Sequence, residues 1–351
     1  MIFEYKKIDL AFKFDAGTSR GVLRTKPSYI VFLKKEKIIG TGEVSLIPGL
    51  SPDYTADVEN VIKGCGYKVS QSQLPKSIFE IDNLLDTCVP ITYPAVRFGF
   101  ETALLDLLNG GEKTFYNNRF TENTEGIPIN GLIWMGDEHF MLQQIEEKLK
   151  QGFTCLKMKI GSIDYESELG ILTKVRNKHP SLTLRVDANG AFDGSNVREV
   201  LKDLKKLNIH SIEQPIKVGQ IDLMSTLCKE SISPIALDEE LIGVYNSNEQ
   251  RNLLKEISPQ YIILKPSLLG GLQKTSVWIA LASELNVKWW ITSALEGNIG
   301  LNAIAQYTSQ IGCIGHQGLG TGSLFVNNIL SPLAIKGEFL WHDNRNKWGK
   351  L

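Results

Sequence analysis

No stretch of this sequence approaches the roughly 18 uncharged apolar residues that a membrane-spanning helix needs. An excess of one charge is missing too: 38 basic residues face 39 acidic ones, for a formal net charge of −1. That balance gives no reason to expect nucleic acid or an anionic membrane surface as a partner. The five cysteines, Cys65, Cys88, Cys155, Cys228 and Cys313, are scattered and show no C-x-x-C pair. They are expected as free, mostly buried thiols in a reducing compartment. The N-terminal run MIFEYKKIDLAFKFD alternates apolar and polar residues and lacks the apolar core of a signal peptide, so a cytoplasmic location is expected. The histidines, His139, His179, His210, His316 and His342, show no zinc-binding spacing. There is no P-loop and no G-x-S-x-G elbow.

What is present is a chain of 351 residues, 42% apolar and 22% charged, long enough for two domains or for one barrel with an addition. Two regimes are visible. Before about residue 123 the order is strands then helix, with strands expected at 8–14, 28–34 and 37–47 and a helix over 91–110. From Ile127 onward short apolar strands alternate with helical segments. Strands are expected near 127–133, 155–160, 183–188, 209–214, 234–238, 261–266 and 287–293, with a weaker eighth at 316–322. Helices are expected at 139–151, 165–178, 196–207 and 271–285. Such a series of β/α units means a TIM-like barrel or a large doubly wound sheet.

Spacing favours the barrel. Polar residues stand at the C-terminal ends of successive strands: Lys159, Asp187, Glu213, Asp238, Lys265 and Ser293, at intervals of 28, 26, 25, 27 and 28 residues. One β/α unit is about that long, because eight units fill roughly 250 residues. In a closed barrel these ends converge on one mouth. A lone carboxylate at a strand end is ordinarily a helix cap or a surface ion-pair partner. Six polar residues at near-constant intervals form a pattern that this reading does not cover. Asp187, Glu213 and Asp238 would occupy one arc, and adjacent carboxylates repel unless a divalent cation neutralises them. Oxygen-only ligation points to Mg²⁺, with Mn²⁺ also possible, and to a small-molecule carboxylate as substrate. Lys157 and Lys159 share one face of their strand, where two close ammonium groups would lower each other's pKa and suit one of them to act as a general base. Lys265 would approach from the opposite side. GLGTG (318–322) lacks the dinucleotide spacing, and Gly320 is expected to line a ligand with close backbone. Trp289 and Trp290 are expected as barrel wall. Glu239 and Glu240 are expected as helix-capping residues. A metal-free Schiff-base lyase and a non-catalytic binding barrel are the readings from other classes.

The segments KMK (157–159), RVDANGAF (185–192), IEQPI (212–216), ALDEEL (236–241), ILKPSLLGG (263–271) and SALEGNIG (293–300) resemble the enolase superfamily, in its muconate-lactonizing subgroup. That resemblance implies an α/β fold, a modified (β/α)7β TIM barrel at 124–322. An α+β N-terminal capping domain at 1–123 would close over the barrel mouth, and a C-terminal segment at 323–351 would return to it. It also implies α-proton abstraction through an enediolate. Within the subgroup, GTSRG (17–21) and HQGLGTGSLFVNN (316–328) look most like members that dehydrate a succinyl-hydroxycyclohexadiene carboxylate in menaquinone biosynthesis. Lys159 would then be the base, Lys265 would stabilise the enediolate, and Lys157 would tune Lys159. Asn189 and Ser293 resemble substrate-facing polar groups, and the loop carrying Ser19 and Arg20 would help cover the substrate. Racemases of N-succinylamino acids and dipeptide epimerases carry the same metal and lysine residues and remain the alternative. The missing Asp-x-Asp near the last strand argues against dipeptides. The pattern specifies no oligomeric state.

Overall fold

The computed structural model describes residues 1–18, 21–161 and 164–350. The chain opens with a long antiparallel hairpin, β1 (Ile2–Thr18) and β2 (Gly21–Lys35), and β3 (Ile38–Ser45) pairs with β2 on its other side. The β1–β2 register breaks between Ala11 and Ala16, which interrupts the ladder there. Three helices follow: α1 (Val58–Gln71), α2 (Ile78–Cys88) and α3 (Pro94–Leu108). Pro94 starts α3, where a missing N–H costs nothing. Two glycines of β3 let the strand lie on the α3 backbone. A Cβ at Gly42 would fall 1.9 Å from the Gly99 carbonyl oxygen, and one at Gly40 would fall 2.1 Å from that of Ala103.

The barrel strands are β5 (Gly131–Ile133), β6 (Cys155–Lys159), β7 (Thr183–Asp187), β8 (Ser211–Glu213), β9 (Ile235–Leu237), β10 (Tyr261–Leu264) and β11 (Lys288–Ile291), parallel and in sequential order. Between them run α4 (Glu138–Lys150), α5 (Tyr165–Lys178), α6 (Val197–Lys206), α7 (Ile221–Glu230), α8 (Ser247–Ile257), the one-turn α9 (Pro266–Leu269) and α10 (Leu272–Glu284). After β11 comes α11 (Asn298–Gln310). The sheet closes through two residues, because Gln317 bridges to Ile129 and Gly318 bridges to Thr292, both in parallel. This is the expected (β/α)7β barrel with an α+β cap.

The details differ from expectation in three places. The single strand expected at 127–133 is two. Ile127–Pro128 forms β4, which pairs antiparallel with β13 (Phe339–His342), itself paired to β12 (Leu333–Lys336), while β5 alone joins the barrel. The eighth strand shrinks to the Gln317–Gly318 seam, since the glycines around it favour no extended run. Helices α1, α2, α7, α8 and α11 are not among those named from the sequence. In α1 two glycines, Gly64 and Gly66, weaken the signal, and α11 is buried nearly all round with Asn302 and Gln306 among its buried residues, which blurs an apolar stripe.

Helix α3 ties cap to barrel with buried carboxylates. Asp53 accepts from the backbone N–H groups of Ala95 (2.8 Å) and Val96 (3.0 Å) at its start. Glu101, on α3, accepts from Leu272 (2.5 Å) and Gln273 (2.9 Å) at the start of α10. Burial dominates there and pushes Glu101 from the ordinary 4.5 up to about 7, against the opposing pull of those N–H donors. A raised carboxyl contributes stability that is complete below its unfolded pKa and lost as pH rises toward the folded one. Between pH 4.5 and 7 the native state therefore holds one more proton here, and urea-unfolding free energy should fall by at most ~1.4 kcal/mol per pH unit. In Glu101→Gln that slope should flatten; an unchanged slope would contradict the assignment.

Candidate functional site

The strand ends bring the six charged residues together. In register, Lys159 pairs with Asp187 and Asp187 with Glu213, so these three stand in one row. The row then climbs. Glu213 pairs with Ala236, which puts Asp238 two residues further along its strand, and Ile262 pairs with Leu237, which puts Lys265 further still. The common level suggested by the constant intervals is thus a staggered spiral, as strand tilt in a closed barrel requires.

Carboxylates and ammonium groups alternate along this spiral. Lys157 Nζ lies 3.0 Å from Asp187 Oδ2 and 2.6 Å from Glu213 Oε2. Lys159 Nζ lies 3.0 Å from the same Asp187 oxygen and donates to Asn189 Oδ1 at 2.7 Å. Lys265 Nζ donates to Asp238 and lies 3.9 Å from Glu213 Oε1. All six side chains are buried. Burial alone would raise Asp187, but the ammonium groups of Lys157, Lys159 and Lys265 outweigh it and hold this carboxyl well below the usual range. Asp238 goes the other way, pushed up by burial and by neighbouring Glu239. Burial would lower Lys157 and Lys265, yet the surrounding carboxylates hold both above the ordinary lysine value. The mutual depression expected of the lysine pair is therefore overridden at Lys157.

The turns beneath are braced. Asn189 follows β7 at φ 44° and Gln214 follows β8 at φ 41°, both left-handed positions. Asn189 Nδ2 donates to Glu239 Oε1 at 3.0 Å. Gln214 Nε2 donates to Glu240 Oε2 (3.0 Å), while its Oε1 accepts from the N–H of Asp238 (3.2 Å) and of Glu240 (3.3 Å). Glu239 and Glu240 are thus buried braces rather than helix caps. Replacing Gln214 with Leu leaves these donors unpaired, and should lower stability by ~1–3 kcal/mol, read as a drop in thermal midpoint. An unchanged midpoint would contradict the bracing role.

Over this cluster lies a cavity of about 420 Å³. Its floor holds Lys157, Lys159, Asp187, Asn189 and Lys265. Gly21, Val22 and Leu23 of the hairpin and Ile47–Leu50 after β3 roof it, so cap and barrel enclose it jointly. Ser293 and Gly320 line its wall. Ser19 and Arg20 lie outside the described residues. Trp290 is buried in the barrel with the Arg185 guanidinium 4.0 Å above its ring, a packing residue as expected. Asn130, Trp134 and Thr292 also line the cavity, and the strand pattern alone does not mark them. Asn130, the one polar residue inside IPINGLI, carries the clearest trace in the sequence.

The cap is registered to this wall. Glu43 of β3 accepts from the N–H of Gly297 (2.7 Å) and Gly300 (2.8 Å) and from Ser28 Oγ (2.6 Å). The returning chain holds the arm, with Lys13 N–H to Leu324 O and Val326 N–H to Ala11 O, each 2.9 Å.

Among the described residues, no three Asp, Glu, His or Cys side chains converge as a ready metal cage, because ammonium groups stand between the carboxylates. The donor chemistry nevertheless fits a hard divalent ion. All three groups supply oxygen, and Glu213 Oε1 is buried without a hydrogen-bond partner.

Residues 141–341 match the enolase C-terminal domain-like family. The chain belongs to the enolase superfamily. It is 46% identical to the o-succinylbenzoate synthase of Desulfotalea psychrophila, over 97% of this chain and 98% of that one. The crystal structure of MenC from Desulfotalea psychrophila superposes with a TM-score of 0.88 at 41% identity, covering 97% and 99% of the two chains. An N-succinylamino acid racemase of Thermus thermophilus is 32% identical over 45% of this chain and 41% of its own. A dipeptide epimerase of Enterococcus faecalis, 19% identical with a TM-score of 0.86 over 99% and 97%, shares the fold.

Proposed function

We propose that this chain is an o-succinylbenzoate synthase of menaquinone biosynthesis, a Mg²⁺-dependent (or Mn²⁺-dependent) lyase. It would convert 2-succinyl-6-hydroxy-2,4-cyclohexadiene-1-carboxylate to o-succinylbenzoate and water. The observation that carries this reading is the placement of Lys159 and Lys265 on either side of the three carboxylates, under a cavity lined by both cap and barrel. Identity of 46% to a synthase along nearly the whole chain supports it.

Asp187, Glu213 and Asp238 would hold the cation, with the lysine ammonium groups turned toward the substrate. The chemistry supplied there is neutralisation of the substrate carboxylate, which makes the adjacent C–H more acidic. Lys159, as the amine, would take the proton from C1, leaving an enediolate. Lys265, as an ammonium, would stabilise that anion from the opposite face. Lys159 would then return the same proton to the C6 hydroxyl, which leaves as water as the C1–C6 double bond completes the aromatic ring. Asn189 would orient the Lys159 amine through its carboxamide oxygen.

The same opposed lysines would serve an N-succinylamino acid racemase, where a proton is regained instead of hydroxide lost. Among the described residues, the wall around Gly320 and Thr321 has no carboxylate to grip a dipeptide amino group. Dehydration should vanish in EDTA and return with Mg²⁺, and Lys159→Ala should lower kcat by ~10²–10⁴-fold. Full dehydration by chelated enzyme, or by Lys159→Ala, would overturn the proposal. Faster α-proton exchange on N-succinylamino acids in deuterated solvent than dehydration would favour the racemase.

A further inference from the structure

The cavity wall holds a second group of polar residues, all uncharged. It lies at the seam where β5 and β11 meet through Gln317 and Gly318. The bridges Ile129–Gln317 and Thr292–Gly318 place Gly318 between Asn130 and Thr292. The seam is held by Asn130 N–H to Gln317 O and Ser293 N–H to Gly318 O, each 3.0 Å.

Asn130 is 4% exposed and Thr292 8% exposed, and both line the cavity. Asn130 Oδ1 and Thr292 Oγ1 are buried with no hydrogen-bond partner. Unpartnered buried polar atoms are uncommon, and two of them flanking one glycine make a built hollow. Glycine keeps it open, since a Cβ at 318 would fall 2.6 Å from Thr292 Oγ1. The neighbouring hydroxyls are already engaged. Ser293 Oγ donates to Glu296 Oε2 at 2.5 Å and accepts from Thr321 Oγ1 at 2.7 Å. Ser293 therefore has no proton left for a ligand, although its position in the sequence marks it as the substrate-facing group.

We propose that Asn130, Gly318 and Thr292 form a neutral hydrogen-bonding subsite for the side-chain carbonyl oxygen of the substrate, an inference that rests on the function proposed above. None of the three residues carries a charge, so the hollow offers neutral partners to an uncharged oxygen. The Thr292 hydroxyl donates to the carbonyl oxygen. The Asn130 carboxamide, whose ends are alike in shape, turns Nδ2 toward it. The succinyl ketone sits two bonds from the reacting carbon. The amide carbonyl of an N-succinylamino acid sits at the same remove, so one hollow would recognise both substrate classes.

The test compares two ligands in calorimetry with Mg²⁺ present: o-succinylbenzoate, and 2-(3-carboxypropyl)benzoate, in which a methylene replaces the ketone. Thr292→Val and Asn130→Ala should each weaken the ketone ligand about tenfold and shift the methylene ligand by less than about twofold. A purely structural loss would weaken both ligands alike. If wild-type protein forms and binds o-succinylbenzoate while the variants treat both ligands equally, the subsite falls and the function stands. If wild-type protein does neither, the functional reading falls and takes the subsite with it.

Discussion

Three buried carboxylates close to one another must be neutralised, and the rest of the molecule is arranged around that requirement. Asp187, Glu213 and Asp238 are each buried, and each meets a lysine ammonium within ion-pair distance. Removing one partner from such a buried cluster leaves an uncompensated charge, which costs more than an exposed pair contributes. The lysines and a divalent cation are thus two ways of meeting one electrostatic demand. Exchange between them would free the ammonium groups to face a substrate.

The barrel supplies the positions and the cap supplies the enclosure. Strand stagger carries the charged row up a spiral from Lys159 to Lys265, so the two lysines flank the carboxylates. Glu43 and Glu101 fasten the cap to the barrel by accepting from backbone N–H groups at the starts of α11 and α10, and Asp53 holds the start of α3 within the cap in the same way. Helix N-termini present backbone N–H groups with no partner inside the helix, so each buried carboxyl group finds donors there. Rigid docking matters because Val22, Leu23 and Leu50 of the cap form the cavity roof.

Much of this is legible in the sequence because it is periodic. One charged residue per β/α unit gives the barrel and five residues of the ionic cluster, and the shared strand face of the KMK run adds Lys157. What the sequence leaves out is geometry set by closure. The climb from Glu213 to Asp238 depends on strand tilt, which equal intervals hide. The division of 127–133 into a foot strand and a barrel strand depends on β13, more than 200 residues away in sequence. Asn130 and Thr292 become a pair only because Gly318 is threaded between them. The raised pKa of Lys157 likewise follows from which carboxylates reach it, where a count of neighbouring lysines points the other way.

The central claim is that Asp187, Glu213 and Asp238 together hold one divalent cation in place of the lysine contacts. Mn²⁺ titration followed by electron paramagnetic resonance tests it most directly, on wild-type protein and on Asp187→Asn, Glu213→Gln and Asp238→Asn. The account predicts one Mn²⁺ site per chain in wild-type protein, weakened about tenfold or more in each variant, as removal of a charged ligand implies. Equal Mn²⁺ affinity in wild-type protein and all three variants would contradict it.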